Sequence, residues 1–336
     1  FSRLSRRVVA HPWAVMVVIV ALLALMATPV GSLRVRSNFT EYMPANSSVR
    51  TGYDIVQDDY PALATPTISI VAQTDTTGAA GLVSDIRAMD DVTHVTAAPL
   101  PGHEDMTLIS VLMDVDDPVG QQAVDAVDRI RAMTADHPFW VGGAAAQQTD
   151  FINAMLDRAP WSALIIVVAV LVLLFCMTGS LVVPLKALVI NGFSLVASLG
   201  ATAWLFEGGH LGLPRTPGLQ TFIVACLAAF GFGLAMDYEV FLLARISEYW
   251  RAGYDNDEAV ARGLQRSGRI ITSAAAIIIA VFLGFVSGEM ISIKELGVGL
   301  TIMVAADATL VRLLLVPATM TVLGQWNWWA PKPLAG

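Results

Sequence analysis

The stretch Phe222-Ile-Val-Ala-Cys-Leu-Ala-Ala-Phe-Gly-Phe-Gly-Leu-Ala-Met-Asp-Tyr-Glu-Val-Phe-Leu-Leu-Ala-Arg-Ile246 decides how this chain folds. A run of about 25 mostly apolar residues is long enough to cross a hydrocarbon core of roughly 30 Å as one helix. Asp237 falls near its middle. An ionised carboxylate at that depth costs at least about 2.5–3.5 kcal/mol on insertion scales, so such an acid faces a bundle interior or a wet cavity and has a functional reason to be there. The first reading is a proton-carrying site of a transporter; the plainer alternative is an acid that serves only as hydrogen-bond glue between helices. At 100° per residue, Phe230, Gly233, Leu234, Phe241 and Ala244 lie on or near the face of Asp237, while Tyr238 is about 100° and Glu239 about 200° round the helix. Gly231 and Gly233 permit a close helix contact, which predicts that Asp237 is buried between helices.

The rest of the composition agrees with a membrane setting. Of 336 residues, 55% are apolar and only 14% charged, with mean hydropathy +0.64, whereas soluble domains are about a quarter charged. Charge is unevenly placed: Arg34 to Arg158 holds 7 basic and 18 acidic residues, and the remainder 13 basic and 10 acidic. One acidic soluble domain is thus set into a membrane part. Cys176 and Cys226 lie in apolar runs away from other thiols and imidazoles, so neither a disulfide framework nor a metal site is implied.

Six spanning helices are readable, at about 12–33, 160–178, 181–206, 220–246, 269–288 and 296–323. Residues 1–11, with Arg3, Arg6 and Arg7 among apolar neighbours, suit a short amphipathic helix on an anionic leaflet; a signal-peptide n-region is the alternative. Arg3, Arg6, Arg7, Lys186, Arg245, Arg251, Arg262, Arg266, Arg269 and Lys332 mark one side, against Arg215 and Lys294 in the short loops opposite. By the positive-inside rule both termini, including the tail 324–336, are cytoplasmic and 34–159 is external, in a multi-pass membrane protein.

Within 34–159 the pattern alternates strand and helix. Thr67–Gln73, Val92–Ala97, Met106–Met113 and Phe139–Val141 read as strands, Gly78–Met89 and Val119–Met133 as helices. The order is βαββαβ, the α+β ferredoxin-like pattern, with further helices at Val49–Tyr60 and Gln147–Arg158 beside the membrane segments. Residues 247–268 read as a solvated cytoplasmic connector, with Asp255 or Asp257 as helix N-cap and Glu258 to Arg262 as an i, i+4 pair. A regulatory or docking role is the alternative for that connector.

Asp307, near the middle of the last helix, is a second candidate for the polar cluster of Asp237, or else a tie to another helix. Arg312 lies five residues on, about 140° round an α-helix, so the spacing predicts that the two do not pair. Glu239, Arg245 and Glu248 approach the cytoplasmic end, where snorkelling, pairing or gating suits them. The sequence contains no phosphate-binding Gly-x-x-x-x-Gly-Lys-Ser/Thr, no Gly-x-Ser-x-Gly and no His pair at metal spacing. Enzymatic chemistry, ATP-driven transport, nucleic-acid binding and any cofactor other than a coupling proton are therefore not expected. A proton moving down 100 mV releases about 2.3 kcal/mol.

The strings Gly231-Phe-Gly-Leu-Ala-Met-Asp-Tyr-Glu-Val-Phe-Leu-Leu-Ala-Arg-Ile246, Gly268-Arg-Ile-Ile-Thr-Ser273, Ala306-Asp-Ala-Thr-Leu-Val-Arg-Leu-Leu-Leu-Val-Pro-Ala318 and Asn327-Trp-Trp-Ala-Pro331 resemble the MmpL group of resistance-nodulation-division transporters. The resemblance runs over essentially the whole chain. It implies proton-driven export of lipids, siderophores, drugs or other amphiphiles, with Asp237 and Tyr238 as the proton-relay pair of the second repeat. It also implies that the external domain is a porter domain, that Leu234 and Phe241 line the pocket which inhibitors of the family occupy, and that accessory envelope proteins are partners. Such transporters have two repeats, and this chain resembles one. The start at Phe1 rather than Met points to a first half outside the chain, with a pair of six-helix units as the other arrangement. Two rivals are a SecF-like accessory of protein translocation and a six-helix scaffold or lipid sensor.

Overall fold

The computed structural model describes residues 2–36, 39–44, 46–60, 66–115 and 117–330. The end of the expected tail, with Pro331 and Lys332, lies outside the described residues. Two compact units result, one of residues 1–35 with 160–336 and one of 36–159.

The first unit is a helical bundle. It contains α1 (Ser2–Ala10), α2 (Pro12–Ala27), the membrane part of α6 (Ala144–Thr178), α7 (Val182–Gly208), α8 (Thr221–Arg251), α9 (Asn256–Val286), α10 (Ile291–Ala306) and α11 (Val316–Leu323). A π-helical segment, Asp307–Leu315, joins α10 to α11 without a break. Among the described residues six helical stretches are long and apolar enough to cross a membrane: Pro12–Ser32, Ala144–Thr178, Val182–Gly208, Thr221–Arg251, Asn256–Val286 and Ile291–Trp328. The chain is a multi-pass membrane protein. Leu23, Leu174, Leu242, Leu243, Ile246, Leu264 and Val311 form its central core, whereas Trp161, Leu164, Ile165 and Val172 on α6 stay exposed, as lipid-facing side chains do.

Several boundaries differ from the sequence expectation, each for a local reason. The helix expected at 147–158 and the span expected at 160–178 are one continuous α6; Pro160 removes a single intrahelical hydrogen bond without ending the helix. Within the expected connector at 247–268, α8 continues to Arg251 and α9 starts at Asn256, so the connector helix is the first part of α9 and only a short turn separates the two spans. Asp255 is the N-cap, accepting the Glu258 N–H at 2.8 Å, and Arg262 donates to Glu258 at 2.6 Å one turn later. That local support is enough to extend a helix beyond its apolar stretch.

Asn327 and its neighbours close one end of the bundle. The Asn327 side-chain amide donates to the carbonyls of Met320 (2.6 Å) and Gly324 (2.8 Å), and Trp328 Nε1 donates to Asn256 Oδ1 at 3.2 Å. The Ser180 hydroxyl donates to the Asn327 carbonyl at 2.5 Å, and Trp250 stacks on Trp328 with centroids 5.1 Å apart. The Asn-Trp-Trp string thus ties the start of α7, the end of α8 and the start of α9 to the end of the last span.

The second unit contains α3 (Ser48–Asp59), β2 (Ile68–Ala72), α4 (Ala80–Arg87), β3 (Val92–Leu100), β4 (His103–Met113), α5 (Gln121–Arg131) and β5 (Phe139–Gly142); two-residue strands β1 (Val35–Arg36) and β6 (Leu219–Gln220) complete the chain. Its sheet is antiparallel in the order β3-β4-β2-β5, with Ile70 opposite Ile109 on one side and Val141 on the other. Ile68, Ile70, Ile109 and Val111 of the sheet share a core with Leu82 and Ile86 of α4 and Val127 and Ile130 of α5. Each such fully buried side chain contributes about 1.5–3 kcal/mol. Arg131 donates to Asp150 at 2.6 Å, and that hydrogen bond raises the guanidinium above its ordinary pKa.

Candidate functional site

Helix α8 carries two different polar faces. Phe230, Gly233, Asp237 and Phe241 lie at i, i+3, i+7 and i+11, and all four are exposed, Phe230 at 58% and Phe241 at 59%. Leu234 beside them is half-buried. The sequence expectation that Asp237 is buried within the bundle is thus corrected for this chain: its carboxylate has no hydrogen-bond or ion-pair partner among the described residues. The two glycines show why. A methyl built on Gly231 would lie 1.4 Å from Met303 Sδ, so Gly231 is where α10 closes on α8, whereas nothing lies within 4 Å of the same point on Gly233. The close approach is real, but it lies away from the acid.

The opposite face buries charge. Glu239 is 2% exposed and accepts a hydrogen bond from the Asn191 side-chain amide of α7. Lys186, one turn into α7, and Arg312 are the cations whose fields act on this carboxylate, and Lys186 Nζ also reaches Asn327 Oδ1 at 3.5 Å.

Asp307 and Arg312 do pair, contrary to the α-helical spacing argument. Arg312 Nε donates to Asp307 Oδ2 at 2.5 Å, and both side chains are almost fully buried. The reason is the π-helical segment, whose i→i+5 hydrogen bonds widen the turn and bring residues five apart nearly into register. Arg312 is the largest of the fully buried side chains. Its guanidinium carbon lies 5.4 Å from the centroid of the half-buried Tyr238 ring, a cation–π contact.

Depth explains the meeting of these elements. Asp237 and Asp307 each stand sixteen residues into helices that start at the same end of the bundle, roughly 24 Å along at 1.5 Å per residue. Tyr238 therefore stands between an exposed acid, Asp237, and a group of two acids and two cations, of which Glu239, Asp307 and Arg312 are buried and Lys186 is half-buried. Asp307 Oδ1, Glu239 Oε1, both terminal nitrogens of Arg312, Asn191 Oδ1 and Ser194 Oγ have no hydrogen-bond partner among the described residues. In a buried setting such atoms are met by water or by exchangeable protons. The sequence reading named Asp237, Tyr238 and Asp307 as site residues but not Lys186 or Asn191, and it expected Arg312 to find its partner on another helix. The signal available for the first two was their polarity inside the apolar run 181–206.

Residues 54–335 match the MMPL family. The chain is 38% identical to the Streptomyces coelicolor protein SCO6666, over 99% of this chain and 47% of that protein. It is 31% identical to the mycolic acid-containing lipids exporter MmpL11 of Mycolicibacterium smegmatis, over 99% of this chain and 37% of the relative. It is also 30% identical to the trehalose monomycolate exporter MmpL3 of the same organism, over 99% and 35% respectively. The chain spans less than half the length of these relatives. The family match covers five of the six spans and most of the soluble unit, and the Streptomyces relative aligns over 99% of the chain; this chain belongs to the MMPL family, the MmpL group of resistance-nodulation-division transporters that its sequence resembles.

Proposed function

We propose that the chain is the second-repeat half of a proton-driven exporter of lipids or other amphiphiles across the inner membrane. The observation that carries this reading is the open face of α8, where an ionisable side chain stands near mid-membrane between Phe230 and Phe241 with no partner of its own. An unpaired carboxylate facing hydrocarbon is too costly to keep, so that face is covered by protein in the working assembly. Its cover is the first repeat or a second copy of this chain. The greater length of the relatives supports a second repeat.

Covered in this way, Asp237 takes up and releases the coupling proton. Tyr238 links it to Arg312 and Asp307, and the unsatisfied polar atoms of Asp307, Arg312, Glu239 and Asn191 supply donors and acceptors for a water path toward Lys186. The charges of Glu239, Asp307, Arg312 and the half-buried Lys186 balance as two acids against two cations. A proton arriving at Asp237 therefore changes the local charge by one, enough to bias one helix packing over another. Leu234 and Phe241 line the pocket between the two repeats. The soluble unit is a ferredoxin-like porter domain on the external side, a reading supported by its β3-β4-β2-β5 sheet with helices following its first and third strands. The names of the relatives favour a lipid cargo, with accessory envelope proteins as onward partners.

The test is Asp237→Asn in the complete transporter, with cell-envelope lipid profiling and proton uptake as readouts. Export and coupled proton movement are expected to stop while membrane insertion stays at the wild-type level. Wild-type export by that variant would sink the proposal.

A further inference from the structure

At the other end of the bundle from Asn327, the turns that close α2 and α7 meet around a cavity of about 800 Å³. Arg34, Trp204, Glu207, Arg215 and Thr216 line it. Arg34 follows the 3-10 turn Thr28–Ser32 at the end of the α2 span, Trp204 and Glu207 belong to the last two turns of α7, and Arg215 sits in the loop leading to α8. Glu207 positions both arginines through the backbone and one side-chain nitrogen. Its Oε1 accepts the Arg34 backbone N–H at 3.3 Å, and its carbonyl accepts Arg215 Nε at 3.1 Å. Neither guanidinium forms an ion pair among the described residues, and both are exposed.

The surroundings are apolar on one flank. Trp204 is 52% exposed and stacks on His210 with centroids 4.0 Å apart. Leu211, next in the chain, is 87% exposed at φ 56°, a left-handed conformation found at no other non-glycine among the described residues. A leucine in that region is strained and is kept only where the surroundings use it. Two forked cations beside an indole and an outward leucine, all at the ends of membrane spans, make a particular combination. Tryptophan prefers the headgroup level, planar guanidinium forks match phosphate oxygens, and basic groups are drawn to an anionic leaflet.

We propose that this cavity seats an anionic glycerophospholipid of the adjacent leaflet, its phosphate held between Arg34 and Arg215 and its chains lying along Trp204 and Leu211. The site is separate from the Asp237 face and does not rest on the proton-coupling reading.

The test is thermal unfolding of the purified full chain in detergent, titrated with phosphatidylglycerol or phosphatidylcholine. Phosphatidylglycerol is expected to stabilise at a roughly tenfold lower half-saturating concentration, an advantage that shrinks as NaCl is raised. The double variant Arg34→Gln/Arg215→Gln should lose that roughly tenfold preference, and Arg34→Lys/Arg215→Lys should keep part of it. Equal response to the two lipids in the wild-type chain would overturn the proposal without reference to any variant, as would an undiminished preference in the glutamine variant. Stabilisation by inorganic phosphate equal to that by phosphatidylglycerol would assign the site to the free anion and reject the lipid.

Discussion

Asp237 and Asp307 are both acids at mid-span, yet their surroundings predict opposite consequences of mutation. Asp237 touches nothing it would have to give up, so Asp237→Asn is expected to leave the unfolding free energy of this chain within about 0.5 kcal/mol. Asp307 is locked to Arg312, and Arg312→Met would leave a buried carboxylate alone at a cost of about 3–5 kcal/mol. Removing both charges, as Arg312→Met with Asp307→Leu, should restore most of that loss, because an apolar pair of similar volume replaces a buried ion pair at little or no cost. Thermal unfolding in detergent of the two single and one double variants checks all three outcomes; a double variant no better than Arg312→Met would show that the pair is not a closed unit. Which residues carry charge in the membrane was legible from the sequence, since an acid or base in an apolar run is visible at once. Which of them touch was not, because the α-helical angle of 140° between Asp307 and Arg312 holds only while the helix is α.

At the scale of elements, the π segment and the glycines set how helices approach. Three glycines mark three situations. A methyl at Gly200 would lie 2.3 Å from the backbone oxygen of Met26, at Gly231 it would meet the mobile end of Met303, and at Gly233 it would meet nothing. Gly200→Ala therefore forces α2 away from α7 and is expected to destabilise by about 1–3 kcal/mol, with Gly231→Ala toward the lower end because a methionine side chain can turn aside. Gly233→Ala should be neutral or mildly stabilising in this chain, by up to about 1 kcal/mol from helix propensity. In the complete transporter the same Gly233→Ala lies on the face proposed to meet the partner repeat and is expected to reduce export. Unfolding and export measured on the same set of variants separate the two effects; full export with Gly233→Ala would argue that the open face meets lipid instead. The extension of α9 back to Asn256 belongs to this scale too. Hydropathy locates the membrane-crossing part of a helix, while Asp255 capping and the Glu258–Arg262 pair decide where it begins.

At the scale of the whole molecule, residues 36–159 have a sheet, two covering helices and a core of their own, all contained within that unit. Expressed alone they are expected to be soluble and to unfold cooperatively, as an independent domain does. Far-UV circular dichroism through a thermal melt is the measurement, and a gradual, structureless response would contradict it. The bundle has no such independence from its surroundings: α6 and the Asp237 face of α8 present apolar and ionisable groups outward, the first suited to lipid and the second to another protein surface.

The six spans, the alternating pattern of the soluble unit and the acids at mid-membrane are legible along the chain. Hydropathy and periodicity are local properties, written within 20 residues of each position. The tertiary structure decided that Asp237 faces outward while Glu239 meets Asn191, and that Arg312 folds back on Asp307 beneath Tyr238. Those outcomes depend on which helices close on which, at Gly231 and Gly200, and on a change of helical pitch at Asp307. Such terms come from packing between residues distant in the chain, and no window along the sequence contains them.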